Sequence, residues 1–207
     1  MPVIAIEGNI GASKSTQIEL IRSRLALPVF PEPIHRWPLA NFYSDRSAFA
    51  LPLQLTILGT SQVDAKYLGP DHFIVTERSH LSARNVFWQN LVDNNIVPLE
   101  EHSLYSKAYD ALSYSPSIVI YLRTSSHICL DRISTRSQPG DNVISLDLLT
   151  ALGRLYDRLL LESTDPSFPT VYTVDTDNKT DTEIHLEITA ILRSTYPCLI
   201  PLTDTSY

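Results

Sequence analysis

The stretch Gly8-Asn9-Ile10-Gly11-Ala12-Ser13-Lys14-Ser15-Thr16 limits the possible folds of this chain more than any other. It follows a short apolar run, Val3 to Ile6, which reads as a buried strand. It precedes Ser15 to Leu25, in which Ile18, Ile21 and Leu25 fall on one helical face. Strand, glycine-containing turn, Lys-Ser and helix, in that order, form the context of a phosphate-binding loop. Successive backbone N–H groups point into such a turn and the helix N-terminus adds positive potential, so polyphosphate is favoured. Lys14 is then placed to reach the β- and γ-phosphates, and the Ser15 hydroxyl to ligate Mg²⁺. One position departs from the motif. Ser13 stands where glycine is expected, and it either crowds the phosphates or needs an unusual backbone angle.

The rest of the chain alternates short apolar runs with helical periods, as a parallel sheet with crossover helices requires. Val29-Phe30, Phe73 to Thr76, Ile118 to Leu122 and Val171 to Val174 are the further strands. Leu146, Leu149, Leu152, Tyr156, Leu159 and Leu160 form one helical face behind Ser145 as N-cap. Ile184, Ile188, Ile191 and Leu192 form another, behind Asp181 as cap. Ser134 to Asn142, with Pro139-Gly140, reads as a loop or mobile lid, and the tail from Pro197 as irregular. A length of 207 residues fits one domain, 1–207, at most with a lid.

Composition excludes several classes. Sixteen Lys and Arg against 23 Asp and Glu give a net charge of -7, which argues against a duplex-binding basic face. Cys129 and Cys198 are too few for a disulfide framework and fit a reducing compartment. No apolar run reaches the roughly 20 residues of a membrane-spanning helix. The chemistry-bearing sequence starts at Glu7, which leaves no room for a signal or transit segment, so a cytoplasmic location is expected. The six histidines show no metal-binding spacing.

Three further motifs lie at strand ends. Glu32-Pro33-Ile34-His35-Arg36-Trp37 follows the second strand, and its carboxylate could take a proton from a hydroxyl attacking a γ-phosphate. Glu77-Arg78-Ser79 closes the third, followed by His80-Leu81-Ser82-Ala83-Arg84-Asn85-Val86-Phe87. Tyr121-Leu122-Arg123-Thr124-Ser125 closes the fourth, ahead of Asp131-Arg132 and Arg136. In this order, from Val3 to about Asp181, these pieces resemble the deoxynucleoside kinase family, in particular its insect deoxynucleoside kinase and mitochondrial thymidine kinase branch.

The resemblance implies a three-layer α/β/α phosphate-binding-loop kinase fold, with a five-stranded parallel sheet and a helical lid at about 132–142. It implies an enzyme that transfers the γ-phosphoryl group of ATP, with Mg²⁺, to a deoxynucleoside 5'-hydroxyl. Glu32 matches the family's general base and Arg78 the arginine near the 5'-hydroxyl. Trp37 matches an aromatic wall of the nucleoside pocket, Tyr43 the tyrosine on the sugar 3'-hydroxyl, and Gln54 the glutamine that pairs with the base edge. Phe87 matches the ring that stacks on the base, and Glu77 the acid near Mg²⁺. Arg132 and Arg136 match the lid arginines that clamp phosphoryl oxygens in the transition state. Asp141 stands where the family has a glutamate on the 3'-hydroxyl, and Gln138 where a further lid arginine is common. Asp175-Thr176-Asp177-Asn178 looks like the loop bordering adenine, with Asp175 and Asn178 as contacts. A homodimer is implied by the family alone.

Purine-accepting and deoxycytidine-type members carry an acid after the helix serine, paired with an arginine. Here Ala83 and Ser61 stand at those positions, so the resemblance is to the thymidine- and deoxycytidine-preferring branch, with a 5-methyl group near Ile57 and Ala83. Two rivals remain open. A nucleoside monophosphate kinase such as thymidylate kinase shares the loop and lid but needs a cation for the acceptor phosphate, and Arg36 is available. A non-catalytic structural relative would account for Ser13.

Overall fold

A computed structural model describes residues 2–61, 73–136, 138 and 140–197. Cys198, the tail beyond Pro197, and Ser137 and Pro139 of the expected lid lie outside the described residues. Five parallel strands form the sheet: β1 (Val3–Gly8), β2 (Val29–Phe30), β3 (Ile74–Glu77), β4 (Ile118–Arg123) and β5 (Thr170–Asp175). Their spatial order is β2-β3-β1-β4-β5, so β1 is central and both of its neighbours come from distant sequence. The three-layer architecture expected from the motifs is the one observed.

Alternation along β1 builds both faces, because successive side chains of a strand point to opposite sides. Ile4 and Ile6 join Ile18 and Ile21 of α1 (Lys14–Leu25), Ile133 of α7 (Ser126–Arg136) and Ile184, Ile188 and Leu192 of α9 (Asp181–Thr195). Ala5, Val119 and Tyr121 face Leu152, Leu155, Tyr156 and Leu160 of α8 (Leu146–Leu161). Both faces of the parallel sheet are thereby covered, as parallel sheets require. A separate helical cluster joins α3 (Arg46–Thr60), which follows the short α2 (Leu39–Ser44), to α6 (Leu99–Leu112). Between them run α4 (His80–Ser82), a π-helical segment Ala83–Trp88 and α5 (Gln89–Asp93). Trp88 stacks on Tyr105 at 4.1 Å between ring centroids and anchors this layer.

Ser145 caps α8, its side chain accepting from the Leu148 N–H. The cap of α9 differs from the expectation. Thr180, not Asp181, takes that position, in a capping box with Glu183. The threonine oxygen reaches the N3 amide and the glutamate reaches back, satisfying two orphan donors, whereas Asp181 serves the first turn as an acid. The expected loop from Ser134 also starts later, because α7 continues to Arg136. A short 3₁₀ turn, Asp141–Val143, follows Gly140. No helix among the described residues is long and apolar enough to cross a membrane.

Candidate active site

The carboxyl ends of β1, β2 and β3, helix α3, the start of α4 and the segment after α7 surround one cleft of about 1150 Å³. Open α/β sheets bind ligands at this end of their strands, where the helix N-termini converge.

The phosphate-loop residues divide by task. Gly11 has φ 83° and lies against α7, where a Cβ would meet the Cys129 carbonyl oxygen at 2.6 Å. Gly8 approaches the Leu122 carbonyl in the same way, at 2.7 Å. Asn9 fixes the loop: its amide donates to the Leu149 carbonyl at 2.8 Å and its side-chain oxygen accepts from the Ile10 N–H. Ile10, Ala12, Ser15 and Thr16 line the cleft, together with Gly11, Ser13 and Lys14. Ser13 has φ 64°, a left-handed conformation that glycine adopts without penalty. The backbone therefore keeps the glycine-type turn with a side chain present. Lys14 is buried, and its Nζ donates to the Asn9 carbonyl at 2.8 Å. Burial and the Arg78 charge hold the ammonium down at about 8, against the opposing pull of Glu32, Glu77 and Glu7.

Beside the loop stand two acids, Glu32 and Glu77, the first of them paired with an arginine. Glu32 Oε1 meets Arg78 Nε at 2.9 Å, with both side chains nearly buried. Burial drives the Glu32 carboxyl up to about 7, although Arg78 opposes the shift. A carboxylate with that affinity for protons can act as a base near neutral pH. Glu77 receives the Ser15 hydroxyl at 2.6 Å and the Glu32 backbone N–H at 3.3 Å. This hydroxyl and carboxylate form the kind of hard oxygen pair that suits Mg²⁺.

The remaining expected residues form the far half of the cleft. Trp37, Tyr43, Gln54, Ile57, Ala83 and Phe87 all line it. Trp37 is held by a bond from its indole N–H to Thr60 Oγ1 at 2.9 Å. Phe87 lies under the Arg78 guanidinium, whose central carbon is 4.7 Å from the ring centroid. Gln54 is buried, and its Oε1 has no hydrogen-bond partner among the described residues. An unsatisfied buried acceptor is costly unless something polar fills the space beside it.

The lid residues are partly engaged with one another. Arg136 makes a bidentate pair with Asp141, at 2.7 and 3.1 Å, and the Gln138 N–H donates to the same carboxylate at 2.8 Å. Those bonds hold the Asp141 carboxyl below its usual range despite partial burial. A Cβ on Gly140 would lie 2.9 Å from the Tyr43 ring, so Tyr43 packs directly on the lid backbone. Arg132 lines the cleft while donating to the Thr176 carbonyl at 3.2 Å. Asp175 and Asn178 are exposed and do not line the cleft; Asp177, Lys179 and Thr180 of the same loop do.

Sequence reasoning missed the support beneath this site. Glu7 is fully buried. Its Oε1 accepts from the Ser79 N–H at 2.8 Å, the Ser79 hydroxyl at 2.7 Å and the Ser82 hydroxyl at 3.0 Å. Tyr156 joins it from α8, accepting a bond from Arg78 Nη1 at 2.7 Å. A glutamate inside the otherwise apolar Val3–Gly8 run was the available signal.

The model of the deoxynucleoside kinase family matches residues 4–193, most of the chain and every element that builds this cleft. The chain belongs to the deoxynucleoside kinase family. Mitochondrial thymidine kinase 2 of Homo sapiens is 29% identical over 198 residues, covering 89% of this kinase and 74% of the human protein. Deoxyguanosine kinase of Bacillus subtilis is 27% identical over 184 residues, covering 86% and 88%. The solved structure of deoxyadenosine kinase from M. mycoides, with the products dCMP and a flexible dCDP bound, superposes with a TM-score of 0.80. It is 28% identical, and the match covers 93% of this kinase and 99% of that chain.

Proposed function

We propose that this member of the family is an ATP- and Mg²⁺-dependent deoxynucleoside kinase that prefers thymidine and takes deoxycytidine second. The observation that carries the reading is Glu32, a nearly buried carboxylate raised to about 7 and held by Arg78 beside the phosphate loop. A group of that basicity serves to accept the 5'-hydroxyl proton at one carboxylate oxygen as the hydroxyl oxygen attacks phosphorus. The phosphoryl group passes to the 5' oxygen, and ADP leaves. The loop amides and Lys14 carry the polyphosphate of ATP, and its negative charge favours the protonated ammonium. Ser15 and Glu77 supply oxygen ligands that fit Mg²⁺, which when bound neutralises charge on the phosphates. Arg132 and Arg136 serve the equatorial oxygens of the transferring group. For Arg136 this requires release from Asp141.

At the acceptor end, Gln54 presents an amide to the base edge, and Phe87 a face for stacking. Ile57 and Ala83 leave apolar room for a 5-methyl group, a contact that discriminates by about 1–3 kcal/mol. The relatives named above act on thymidine, deoxyguanosine and deoxyadenosine, so this preference rests on Ser61 and Ala83, where the pocket carries no charged pair. A monophosphate acceptor is disfavoured, since Arg36 is exposed and lies outside the cleft wall. Leu99 and Leu104 of α6, 80% and 52% exposed, are consistent with the homodimer that the family implies.

The test is phosphoryl transfer from Mg²⁺-ATP to thymidine, the other three deoxynucleosides and thymidylate, with Glu32→Gln alongside. Thymidine is expected to show the highest kcat/KM. A higher value for deoxyguanosine overturns the preference, and turnover of thymidylate alone overturns the acceptor class.

A further inference from the structure

Arg78 sits at φ 62°, in the left-handed region, at the end of β3. A bulky side chain does not hold that conformation by itself; single residues persist there only where surrounding contacts impose them. Two side chains beneath the site, Glu7 and Tyr156, supply those contacts. Glu7 Oε1 gathers three donors from Ser79 and Ser82, and so pins the residue immediately after Arg78 to the core strand β1. Its Oε2 faces the Tyr156 hydroxyl at 3.4 Å. That hydroxyl in turn accepts from Arg78 Nη1, which also donates to the Gly8 carbonyl at 2.9 Å. Arg78 Nε is left for Glu32, and Nη2 makes no hydrogen bond among the described residues. The guanidinium is therefore fixed along one edge and open toward the cleft.

We propose that Glu7 and Tyr156 are positioning residues for phosphoryl transfer, holding Arg78 in its left-handed turn so that it aligns Glu32 with the acceptor. Neither side chain lines the cleft. Glu7 is buried without a cationic hydrogen-bond partner among the described residues, and the cost of burying its carboxyl is offset by the bonds from Ser79, Ser82 and Tyr156. The tyrosine ring is secured independently, stacked on Tyr121 with 5.9 Å between centroids and edge-on to Phe87. Removal of its hydroxyl thus subtracts the bonds to Arg78 and Glu7 and leaves the packing. This inference rests on the kinase reading, and its test separates the two.

Steady-state kinetics of wild type, Tyr156→Phe, Arg78→Lys and the double variant decide it. Lysine keeps the positive charge, but its single nitrogen cannot occupy both the Nε position beside Glu32 and the Nη1 position that bonds Gly8 and Tyr156. Tyr156→Phe is expected to lower kcat by about tenfold, the scale of a modest misalignment, with KM for nucleoside and ATP within about twofold. In the Arg78→Lys background the same change is expected to cost less than about twofold, since residues acting through one group are not additive. Wild-type kcat in Tyr156→Phe, or an equal loss in both backgrounds, overturns the inference and leaves a structural role only. Should Tyr156→Phe melt near the assay temperature, Glu7→Gln takes its place. It is isosteric but cannot accept the tyrosine proton at the amide nitrogen, and the same kcat loss and non-additivity are expected. If wild type phosphorylates no nucleoside, the kinase reading falls and this inference falls with it.

Discussion

Ser13 adopts φ 64° in a loop where its Cβ is a liability. For an L-residue that conformation costs roughly 1–2 kcal/mol, partly offset by the greater unfolded-state entropy of glycine. Ser13→Gly is therefore expected to stabilise the protein by about 0.5–1 kcal/mol without loss of kcat, read as a shifted denaturant midpoint and an unchanged turnover. A lower kcat would mean that the serine contacts the phosphates. Glu32 sets the pH dependence. Its carboxyl is raised to about 7, chiefly by burial, so it is increasingly protonated as pH falls through that value. The kcat/KM profile is expected to decline below about pH 7, and Glu32→Gln to lose roughly a hundredfold or more in kcat. A flat profile from pH 6 to 8 would deny Glu32 the role of base. For folding the sign is reversed. The folded state keeps a proton that the unfolded state releases between the ordinary carboxylate range and about pH 7, so this group's contribution to stability falls as pH rises across that window.

At the scale of elements, the phosphate loop works because β1, α1 and α7 meet within contact distance. Gly11 has no room for a methyl group, since the backbone of α7 is 2.6 Å from where a Cβ would stand. Gly11→Ala is expected to cost about 1–3 kcal/mol through overpacking and to weaken nucleotide binding, measurable by thermal melting and by KM for ATP. Strands β1 and β4, helix α8 and its Ser145 cap were legible in the sequence because their signals are local: branched apolar runs, a 3.6-residue period, a hydroxyl before the first turn. The α9 cap lies one residue before the position the sequence favours, since Thr180 and Asp181 are both good caps and only the Glu183 partner distinguishes them. The end of α7 is not legible in the sequence because Ser134 and Thr135 look like loop residues. In the helix their hydroxyls donate back to the Asp131 carbonyl instead.

For the whole molecule, ligands that bind only the folded state must raise its stability. Nucleoside at a hundred times its Kd adds about 2.7 kcal/mol, and Gln54→Leu is expected to abolish that shift for thymidine while leaving the ATP shift in place. Loss of both shifts would point to a damaged fold rather than a base contact. The sequence by itself determined the phosphate loop and the parallel α/β class, which depend on short spacings between a strand end and the residues that follow it. The other cleft residues named from the sequence came through the resemblance to the family. Only the tertiary structure decided which groups meet. It joined Glu7 to Ser79 across 72 positions and to Tyr156 across 149, turned Arg78 into its left-handed conformation and paired Arg136 with Asp141. It also set Asp177, Lys179 and Thr180, rather than Asp175 and Asn178, on the cleft wall. The Glu7 contacts follow from burial and hydrogen-bond satisfaction among residues far apart in the chain, and no local pattern encodes such pairings.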